Sequence, residues 1–464
     1  MRVLFATCLL MMPTVGTAAE RPNIVFMLSD DQAWNGLSVA MHPNVPGSKS
    51  DICHTPNLEK LAAQGMRFSA GYAPASVCSP TRISLMTGKS PAALHWTKAA
   101  PPETGQKLIE PRNIRSIPAN EMTIGDILRK AGYATAHYGK WHISGGGPER
   151  HGFDESDGDT GNENAFQFKD PNPVDIFGMA DRAAVFMEKS SKASKPFFIQ
   201  LSWNALHASE NANQATLAKY ERQLNGENRK RITTAAITED LDTGVGRVMD
   251  AIERLGLAST TYVIYMADNG AGGGKRVLAG GKGGVWEGGI RVPFIVRGPG
   301  VKANSWCHTR VVGYDLFPTF CELAGVNRAA LPKGLEGGSI ASLLLNEGHG
   351  EVKRPRDELV FHFPHYQGDT PHSALLLGDL KLLHFYEDNR DMLFDLSQDL
   401  GERTDLASKR PADTKKLRER LEKYLAAVDA QLPTPNPDYD PNRRVEPQRG
   451  KGDKGPKLEK KPGK

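Results

Sequence analysis

Short apolar runs recur along the first two-thirds of the chain, and segments with helical apolar spacing lie between them. Because the runs show no polar alternation, they are typical of strands buried on both faces of a parallel sheet. The predicted strands are residues 23–28, 133–138, 196–203, 261–267 and 291–296. The predicted helices are residues 55–65, 122–131, 175–190, 229–255 and 314–324. This alternation predicts an α/β fold with a doubly wound, mostly parallel central sheet flanked by helices.

The pattern changes after residue 351. Strand-like runs at 359–363, 374–377, 381–386 and 392–395 are separated by turn residues, which predicts a small antiparallel sheet. A predicted helix over 412–432 follows, and the Pro-, Gly- and Lys-rich remainder has too few apolar residues to fold. We therefore predict a main domain over 20–350, a C-terminal subdomain over 351–433 and a basic, disordered tail over 434–464.

The N-terminus has the pattern of a signal peptide. Arg2 precedes an apolar run over residues 3–12, and small residues at 16–19 precede Glu20. The run is too short to span a bilayer, and no later run is both long and apolar enough. We expect removal of residues 1–19 by cleavage near Ala19, giving a secreted or periplasmic protein without a membrane span.

The formal net charge of +4 comes from the tail. Residues 440–464 include nine Lys and Arg against four Asp and Glu, so the rest of the chain sums to −1. We expect no nucleic-acid partner. The tail either tethers the protein to polyanions or serves as a solubilising terminus.

The mature chain has few cysteines, which are Cys53, Cys78, Cys307 and Cys321, and it has no CxxC pair or zinc-like spacing. The fold is therefore not built on disulfides. Cys307 and Cys321 either pair in an oxidising compartment or remain buried thiols.

Reactive side chains follow several predicted strands at the point where each strand ends. Ligand sites in open α/β sheets lie at the carboxyl ends of the strands, so these side chains are expected to share one site. Adjacent carboxylates repel each other unless a cation or hydrogen bonds neutralise them, and oxygen ligands suit Ca²⁺ or Mg²⁺ rather than zinc. The residues are Asp30, Asp31, Lys140, His142, His207, Asp268 and Asn269.

Three sequence motifs carry a resemblance to a known family. Residues 78–82 read CSPTR and are followed by TGK at 87–89, residues 139–142 read GKWH, and residues 282–293 read KGGVWEGGIRVP. These segments resemble motifs of the formylglycine-dependent, arylsulfatase-like sulfatases, which belong to the alkaline phosphatase superfamily. The resemblance extends over residues 22–406 and implies an alkaline-phosphatase-like fold.

The resemblance also implies how the site is assembled. A formylglycine-generating maturation enzyme would oxidise Cys78 to formylglycine. A calcium ion, or a magnesium ion, would be held by Asp30, Asp31, residue 78, Asp268 and Asn269. One hydroxyl of the hydrated aldehyde would attack sulfur and give a covalent sulfo-enzyme.

Roles for the remaining polar residues follow from the same resemblance. Lys140 and Lys282 would balance the charge of the sulfate, and Arg82 would hold the formylglycine and the neighbouring carboxylates. His207 would protonate the leaving alcohol. His142 would remove a proton from the second hydroxyl, so that sulfate leaves and the aldehyde returns. The chain is thus predicted to be a sulfuric ester hydrolase.

One segment departs from the family pattern. Sulfatases usually have a proline directly before the histidine that corresponds to His207 and another proline two residues after it. This chain has Leu206 and Ser209 at those places. His207 still follows its predicted strand at the expected distance, so it keeps the leaving-group role.

The expected substrate is a sulfated sugar or glycan, contacted by His95, Trp96, His365 and Tyr366 at the rim of the site. Two other functions stay open. A member of the same superfamily could hydrolyse phosphate or phosphonate monoesters with a similar metal site. Alternatively, a secreted carbohydrate-binding protein could have lost catalysis.

Overall fold

The computed structural model describes residues 21–208, 210–271 and 277–442. The predicted signal peptide, Ser209 and the tail beyond residue 442 lie outside these ranges. The strands are, in chain order, β1 (Asn23–Ser29), β2 (Met66–Phe68), β3 (Gly71–Tyr72), β4 (Leu108–Ile109), β5 (Ala134–Gly139), β6 (Glu155–Ser156), β7 (Phe197–Ser202), β8 (Thr261–Ala267), β9 (Phe294–Arg297), β10 (Ser305–Cys307), β11 (Val311–Val312), β12 (Leu359–Phe363), β13 (His372–Leu377), β14 (Leu380–Phe385), β15 (Arg390–Asp395) and β16 (Thr434–Pro435). The α-helices are α1 (Pro56–Gln64), α2 (Cys78–Thr87), α3 (Ile124–Lys130), α4 (Ile176–Lys192), α5 (Gln214–Gln223), α6 (Arg229–Arg254), α7 (Glu287–Ile290), α8 (Leu316–Leu323), α9 (Ala341–Leu345) and α10 (Pro411–Ala427).

The predicted fold class is confirmed. The central sheet has the strand order β10-β2-β9-β8-β1-β7-β5-β6. β1 lies inside this sheet and pairs in parallel with β7 and β8, and β5 pairs in parallel with β7. Every residue of β1 is buried, which is why its sequence shows no polar alternation.

Helices cover both faces of the central sheet. Ile24, Phe26 and Leu28 of β1 pack with side chains of α2, α3 and α8. Val25 and Met27 face the opposite way and pack with α1, α4 and α6. Successive side chains of a strand alternate between the two faces, so one apolar strand contributes to two layers of core.

The direction predicted for one strand is wrong. Residues 291–296 are predicted as a parallel strand, but β9 runs antiparallel to both β8 and β2. An uninterrupted apolar run reports burial on both faces and carries no information about direction. β2, β6 and β10 are absent from the prediction because each spans only two or three residues, too few for a periodic signal.

The predicted C-terminal antiparallel sheet is confirmed, with the order β12-β13-β14-β15. One face packs on the main domain, where Phe361 and Leu383 share a core with Tyr72, Val77 and Val285. α10 covers the other face. The C-terminal sheet therefore rests on segments that flank Cys78 and Lys282.

The end of the described chain differs from its prediction. α10 ends at Ala427 rather than at residue 432, and Asp429 beyond it has a positive φ of 53°. Disorder from residue 434 is wrong for its first residues, because β16 pairs antiparallel with β4. The backbone N–H of Asn436 also donates to the carbonyl of Lys107 at 3.0 Å. Composition does not reveal that a distant strand will satisfy these backbone groups.

Cys53, Cys78, Cys307 and Cys321 are all free thiols, so Cys307 and Cys321 are unpaired with each other. In the ranges that the structure describes, no helix combines the length and the apolar character needed to cross a membrane.

Candidate active site

The reactive residues predicted at strand ends do converge. β8, β1, β7 and β5 are consecutive in the central sheet, and each is followed by one or more of these residues at its carboxyl end. Cys78 is the first residue of α2, a helix whose ten residues are all buried. Its thiol lies 3.3 Å from Oδ1 of Asp30. The nucleophile candidate is thus fixed against the end of β1.

A group of ligand atoms suited to a metal ion surrounds Cys78. One atom each from Asp30, Asp31, Cys78 and Asp268 lie within 4.8 Å of one another. Oδ1 of Asn269 is buried and has no hydrogen-bond partner among the described residues, so it is available as a further ligand. A carboxylate-rich and amide-containing set of this kind fits a hard divalent cation.

Two of the carboxylates lie where burial and mutual repulsion oppose their ionisation. Burial and the Asp30 carboxylate raise the pKa of Asp268, against the effect of Arg82. Burial also opposes ionisation of Asp30, but Lys140, His207 and Arg82 outweigh it and hold the pKa of Asp30 well below its usual range. A divalent cation would relieve the same repulsion.

Arg82 and Lys140 bind the two buried carboxylates of this group, Asp268 and Asp30. The Arg82 guanidinium donates to Oδ2 of Asp268 from Nε at 3.1 Å and from Nη2 at 2.7 Å. It also donates to the backbone carbonyl of Lys140 at 2.5 Å. The Lys140 ammonium donates to Asp30. Asp30, Lys140 and Asp268 have no exposed side-chain surface and Arg82 has 2%. We call Asp30, Arg82, Lys140 and Asp268 the inner group.

A second set of residues faces solvent. The Lys282 ammonium donates to Oδ2 of Asp31 at 2.7 Å, and Nε2 of His207 lies 4.0 Å from the same oxygen. The exposed fractions of the side chains are 16% for Asp31, 20% for His207 and 27% for Lys282. We call Asp31, His207 and Lys282 the outer group. Among the described residues of the site, the outer group is therefore more exposed to solvent than the inner group.

Glycines explain how the Lys282 loop approaches the metal ligands. Gly270 follows Asn269, and its N–H donates to the carbonyl of Gly289 at 2.9 Å. A Cβ on Gly270 would lie 2.1 Å from the carbonyl oxygen of Gly288, and one on Gly289 would lie 1.9 Å from that of Gly284. Glycine at position 270 therefore lets the two backbone segments touch, and glycine at position 289 lets the Lys282 loop fold back on its own backbone.

His142 is buried and held in its neutral form. It adopts a positive φ of 57°, and its backbone N–H donates to the carbonyl of Thr160 at 2.7 Å. Its Nδ1 is buried without a hydrogen-bond partner in the described part of the chain. Burial, then the positive charges of Lys140 and Arg82, lower the pKa of His142 well below 6.5. The imidazole therefore stays neutral and can accept a proton.

His207 occupies the predicted place despite its altered neighbours. The Asp30 N–H donates to the carbonyl of Ala205 at 2.8 Å, and the Leu206 N–H donates to the carbonyl of Asp30 at 2.6 Å. These bonds tie the loop of His207 to the end of β1. Nδ1 of His207 lies 2.7 Å from the carbonyl of Ala208, so Nδ1 carries the hydrogen and Nε2 faces the outer group.

The predicted rim is wrong for three of its four residues. Trp96, His365 and Tyr366 are 3%, 0% and 7% exposed, whereas His95 is partly exposed. Nδ1 of His365 bonds the carboxylate of Glu110 at 2.8 Å, and the hydroxyl of Tyr366 accepts a hydrogen bond from the backbone N–H of Leu108 at 3.1 Å. These side chains satisfy a buried polar network instead of facing a ligand.

The sequence reasoning also missed the residues that support the Lys282 loop. His372 and Lys381 in the C-terminal sheet and Glu402 after it contact this loop directly. Glu287 is part of the matched motif, but its partner Lys381 comes from a strand about ninety residues later in the chain, which no local pattern predicts.

The family model described as Sulfatase matches residues 22–326, and the model described as N-sulphoglucosamine sulphohydrolase, C-terminal, matches residues 281–431. Human arylsulfatase A is 29% identical over an alignment that covers 91% of this chain and 91% of that protein. Mouse N-acetylgalactosamine-6-sulfatase is 30% identical over an alignment that covers 67% of this chain and 64% of that protein.

Solved structures share the fold. The crystal structure of Ps i-CgsB in complex with k-i-k-neocarrahexaose has a TM-score of 0.73 at 24% identity and covers 89% of this chain and 94% of that chain. The structure of a protein in complex with its substrate D-glucosamine-2-N,6-O-disulfate has a TM-score of 0.66 at 19% identity and covers 88% of this chain and 98% of that chain.

Proposed function

Because the chain belongs to the sulfatase family, we propose that it hydrolyses sulfate monoesters with a formylglycine made from Cys78 and through a covalent sulfo-enzyme intermediate. The observation that carries this proposal is the position of Cys78. It begins a buried helix, lies 3.3 Å from Asp30 and belongs to a group of four potential metal ligands. A helix N-terminus also favours negative charge on a reacting group.

Cys78 in its thiol form is a poor nucleophile in this environment. Burial raises the pKa of the thiol, and the Asp268 and Asp30 carboxylates raise it further. Since the thiolate is the nucleophilic form of cysteine, this supports a role for Cys78 as the precursor of another group. The maturation enzyme that makes formylglycine is therefore a proposed partner of this chain.

We propose that Asp30, Asp31, residue 78, Asp268 and Asn269 hold the metal ion. Calcium fits this set of oxygen donors, and magnesium is the alternative. When bound, the cation would offset the carboxylate charges and polarise an oxygen of the sulfate group.

The remaining residues divide the work of binding and proton transfer. Lys282 binds the sulfate from the exposed side of the site, because its ammonium is the outer group's cation and, against the effect of burial, the Asp31 and Asp30 carboxylates raise its pKa. Lys140 supplies positive charge from the inner side, and Arg82 fixes the carboxylates. Together they compensate the charge of the sulfate oxygens in the transition state.

His207 and His142 take opposite roles in proton transfer. His207 protonates the leaving alcohol, since it lies with Lys282 and Asp31 in the more exposed outer group. Burial lowers its pKa in the free site, and a bound anionic ester raises it again. His142 accepts a proton when the sulfate leaves, because its imidazole is held neutral.

The proposed substrate is a sulfated saccharide. Mouse N-acetylgalactosamine-6-sulfatase and the structure in complex with D-glucosamine-2-N,6-O-disulfate support this class. The predicted signal peptide supports action outside the cytoplasm, in a secreted or periplasmic location.

The test is turnover by protein produced together with a formylglycine-generating enzyme. We expect release of sulfate from an aryl sulfate and from at least one sulfated saccharide, at rates well above those for the aryl phosphate and aryl phosphonate. A preference for phosphate or phosphonate would contradict the reaction class. Saccharide binding without sulfate release by fully matured protein would instead indicate a binding protein.

A further inference from the structure

The loop that carries Lys282 is bonded both to the segment before Cys78 and to the C-terminal part of the chain. Toward the helix of Cys78, the Gly283 N–H donates to the carbonyl of Ser76 at 3.0 Å. Toward the C-terminal sheet, the Val285 N–H donates to Nε2 of His372 at 2.9 Å. The Trp286 indole N–H donates to Oδ2 of Asp369 at 2.9 Å. The loop is therefore bonded on both sides.

The bond to Val285 requires a neutral His372. Nδ1 of His372 lies 2.6 Å from the carbonyl of Thr370. Because a carbonyl only accepts, Nδ1 carries the hydrogen and Nε2 is left as an acceptor for the Val285 N–H. His372 has no exposed surface, so no water replaces this contact. A side chain that cannot accept at this position would leave the Val285 N–H buried without a partner.

A second contact holds the end of the same loop. The fully buried carboxylate of Glu287 accepts from Lys381 at 2.9 Å and from Arg291 at 2.6 Å. Glu402 accepts from the Glu287 backbone N–H at 2.7 Å and lies 2.7 Å from the Lys381 ammonium. The hydroxyl of Tyr72 also donates to Glu287, at 3.0 Å. Each buried charge in this cluster thus has an opposite charge in contact.

We propose that Asp369, His372, Lys381 and Glu402, which we call the C-terminal clamp, are positioning residues that fix the Lys282 loop so that Lys282 can bind the sulfate. The proposal rests on the proposed function, since it takes Lys282 as the residue that contacts sulfate. None of the clamp residues contacts the inner group through a described hydrogen bond or ion pair. Their effect on the reaction passes through Val285, Trp286 and Glu287.

Loosening the clamp should affect substrate binding more than the chemical step. Lys282 contacts the sulfate in the ground state as well as the transition state, so its displacement weakens binding more than it slows the chemical step. A shift of about 1 Å in a positioning contact can reduce catalytic efficiency by up to about 100-fold. We therefore expect loosening of the clamp to raise KM and the dissociation constant of inorganic sulfate together.

The test compares His372→Leu with His372→Gln. The leucine removes the acceptor, whereas the glutamine carbonyl can accept from Val285. We expect His372→Leu to raise KM and the sulfate dissociation constant by about 10-fold or more with kcat changed less than about 3-fold, and His372→Gln to restore most of the loss. Sulfate binding is measured by calorimetry on matured protein.

His362→Leu is the matched control. His362 is also buried in the C-terminal sheet, and its ring bonds Ser373 and the carbonyl of Gln431 instead of the loop. His362→Leu should change the stability of the protein and leave both KM and the dissociation constant of inorganic sulfate unchanged. Trp286→Phe, which keeps an aromatic ring and loses only the bond to Asp369, gives a second variant of the loop if His372→Leu does not fold. A smaller rise in both constants is expected for it.

Unchanged KM and sulfate affinity in His372→Leu, or in Trp286→Phe where the first variant does not fold, would overturn the clamp. Equal effects of His372→Leu and His362→Leu on both constants would overturn it as well, because they would indicate a general loss of packing. Failure of the proposed function would give a different result, because matured wild-type protein would then release no sulfate from any ester. The dissociation constants of inorganic sulfate for the wild type and the variants would still test the clamp in that case.

Discussion

The inner and outer groups of the site carry similar charges but differ in exposure. Asp30, Lys140 and Asp268 have no exposed side-chain surface, whereas 16% to 27% of each side chain of the outer group is exposed. A buried ion pair that loses one partner leaves an uncompensated charge, but an exposed pair is solvated by water. The inner group therefore has to maintain the structure of the site, while the outer group is free to exchange its contacts for those of a substrate.

Cys78→Ala should give the largest effect, because the proposed nucleophile is derived from this residue. We expect sulfate release to fall by roughly 10⁴-fold or more. Cys321→Ala is the control, since Cys321 is a buried free thiol in α8. The measurement is sulfate release from a saturating substrate. Retention of more than a few per cent of activity in Cys78→Ala would exclude residue 78 as the nucleophile.

Replacing one lysine in each group tests whether the inner and outer groups contribute differently to the free energy of unfolding. Lys140→Met leaves the buried Asp30 without its lysine partner, and we expect the free energy of unfolding to fall by about 3 kcal/mol. Lys282→Met breaks a more exposed pair with Asp31 and should cost less than about 1 kcal/mol. Denaturant unfolding of both variants measures the difference. Equal losses would contradict the division into two groups.

His207→Gln tests the outer group by leaving-group dependence. A proton donor matters for an alcohol that leaves poorly and matters little for a nitrophenol that leaves as a stable anion. We expect kcat to fall by about 100-fold with a sulfated sugar and by less than about 10-fold with nitrophenyl sulfate. The same loss with both substrates would argue against proton donation by His207.

A smaller effect is expected on the pH dependence of kcat, to which the inner group contributes through Lys140 and Arg82. His142 must be neutral to accept a proton, and burial together with Lys140 and Arg82 places its pKa well below 6.5, so activity should persist until the pH falls well below 6.5. Lys140→Met removes a positive neighbour and raises the pKa of His142. The acid limb of kcat should therefore move to higher pH.

Lys282→Met is the control for this pH shift, because the leading influences on the pKa of His142 after burial are Lys140, Arg82, Asp30 and His207. Its acid limb should match that of the wild type. Identical acid limbs in Lys140→Met and the wild type would remove His142 as the proton acceptor.

The sequence predicted the inner group well because its residues follow strands. A buried strand is a recognisable apolar run, and the fold places the carboxyl ends of neighbouring strands together. Asp30, Lys140 and Asp268 could therefore be assigned to one site before the strand order was known. Arg82 came instead from the motif around Cys78.

Contacts between distant segments were not predictable in this way. His365 and Tyr366 were expected at the rim, but they bond Glu110 and Leu108, more than two hundred residues earlier in the chain. The antiparallel pairing of β9 with β2 and the pairing of β16 with β4 likewise join segments more than two hundred residues apart. The bond from Val285 to His372 belongs to the same class. Local periodicity carries no information about such partners.

The most direct test of the account is the mass of the tryptic peptide that spans residues 68–82 and contains residue 78. Protein produced with a formylglycine-generating enzyme should carry the aldehyde in place of the Cys78 thiol, and its rate of sulfate release should rise in proportion to the converted fraction. An unmodified thiol in protein that hydrolyses sulfate esters at full rate would contradict the account.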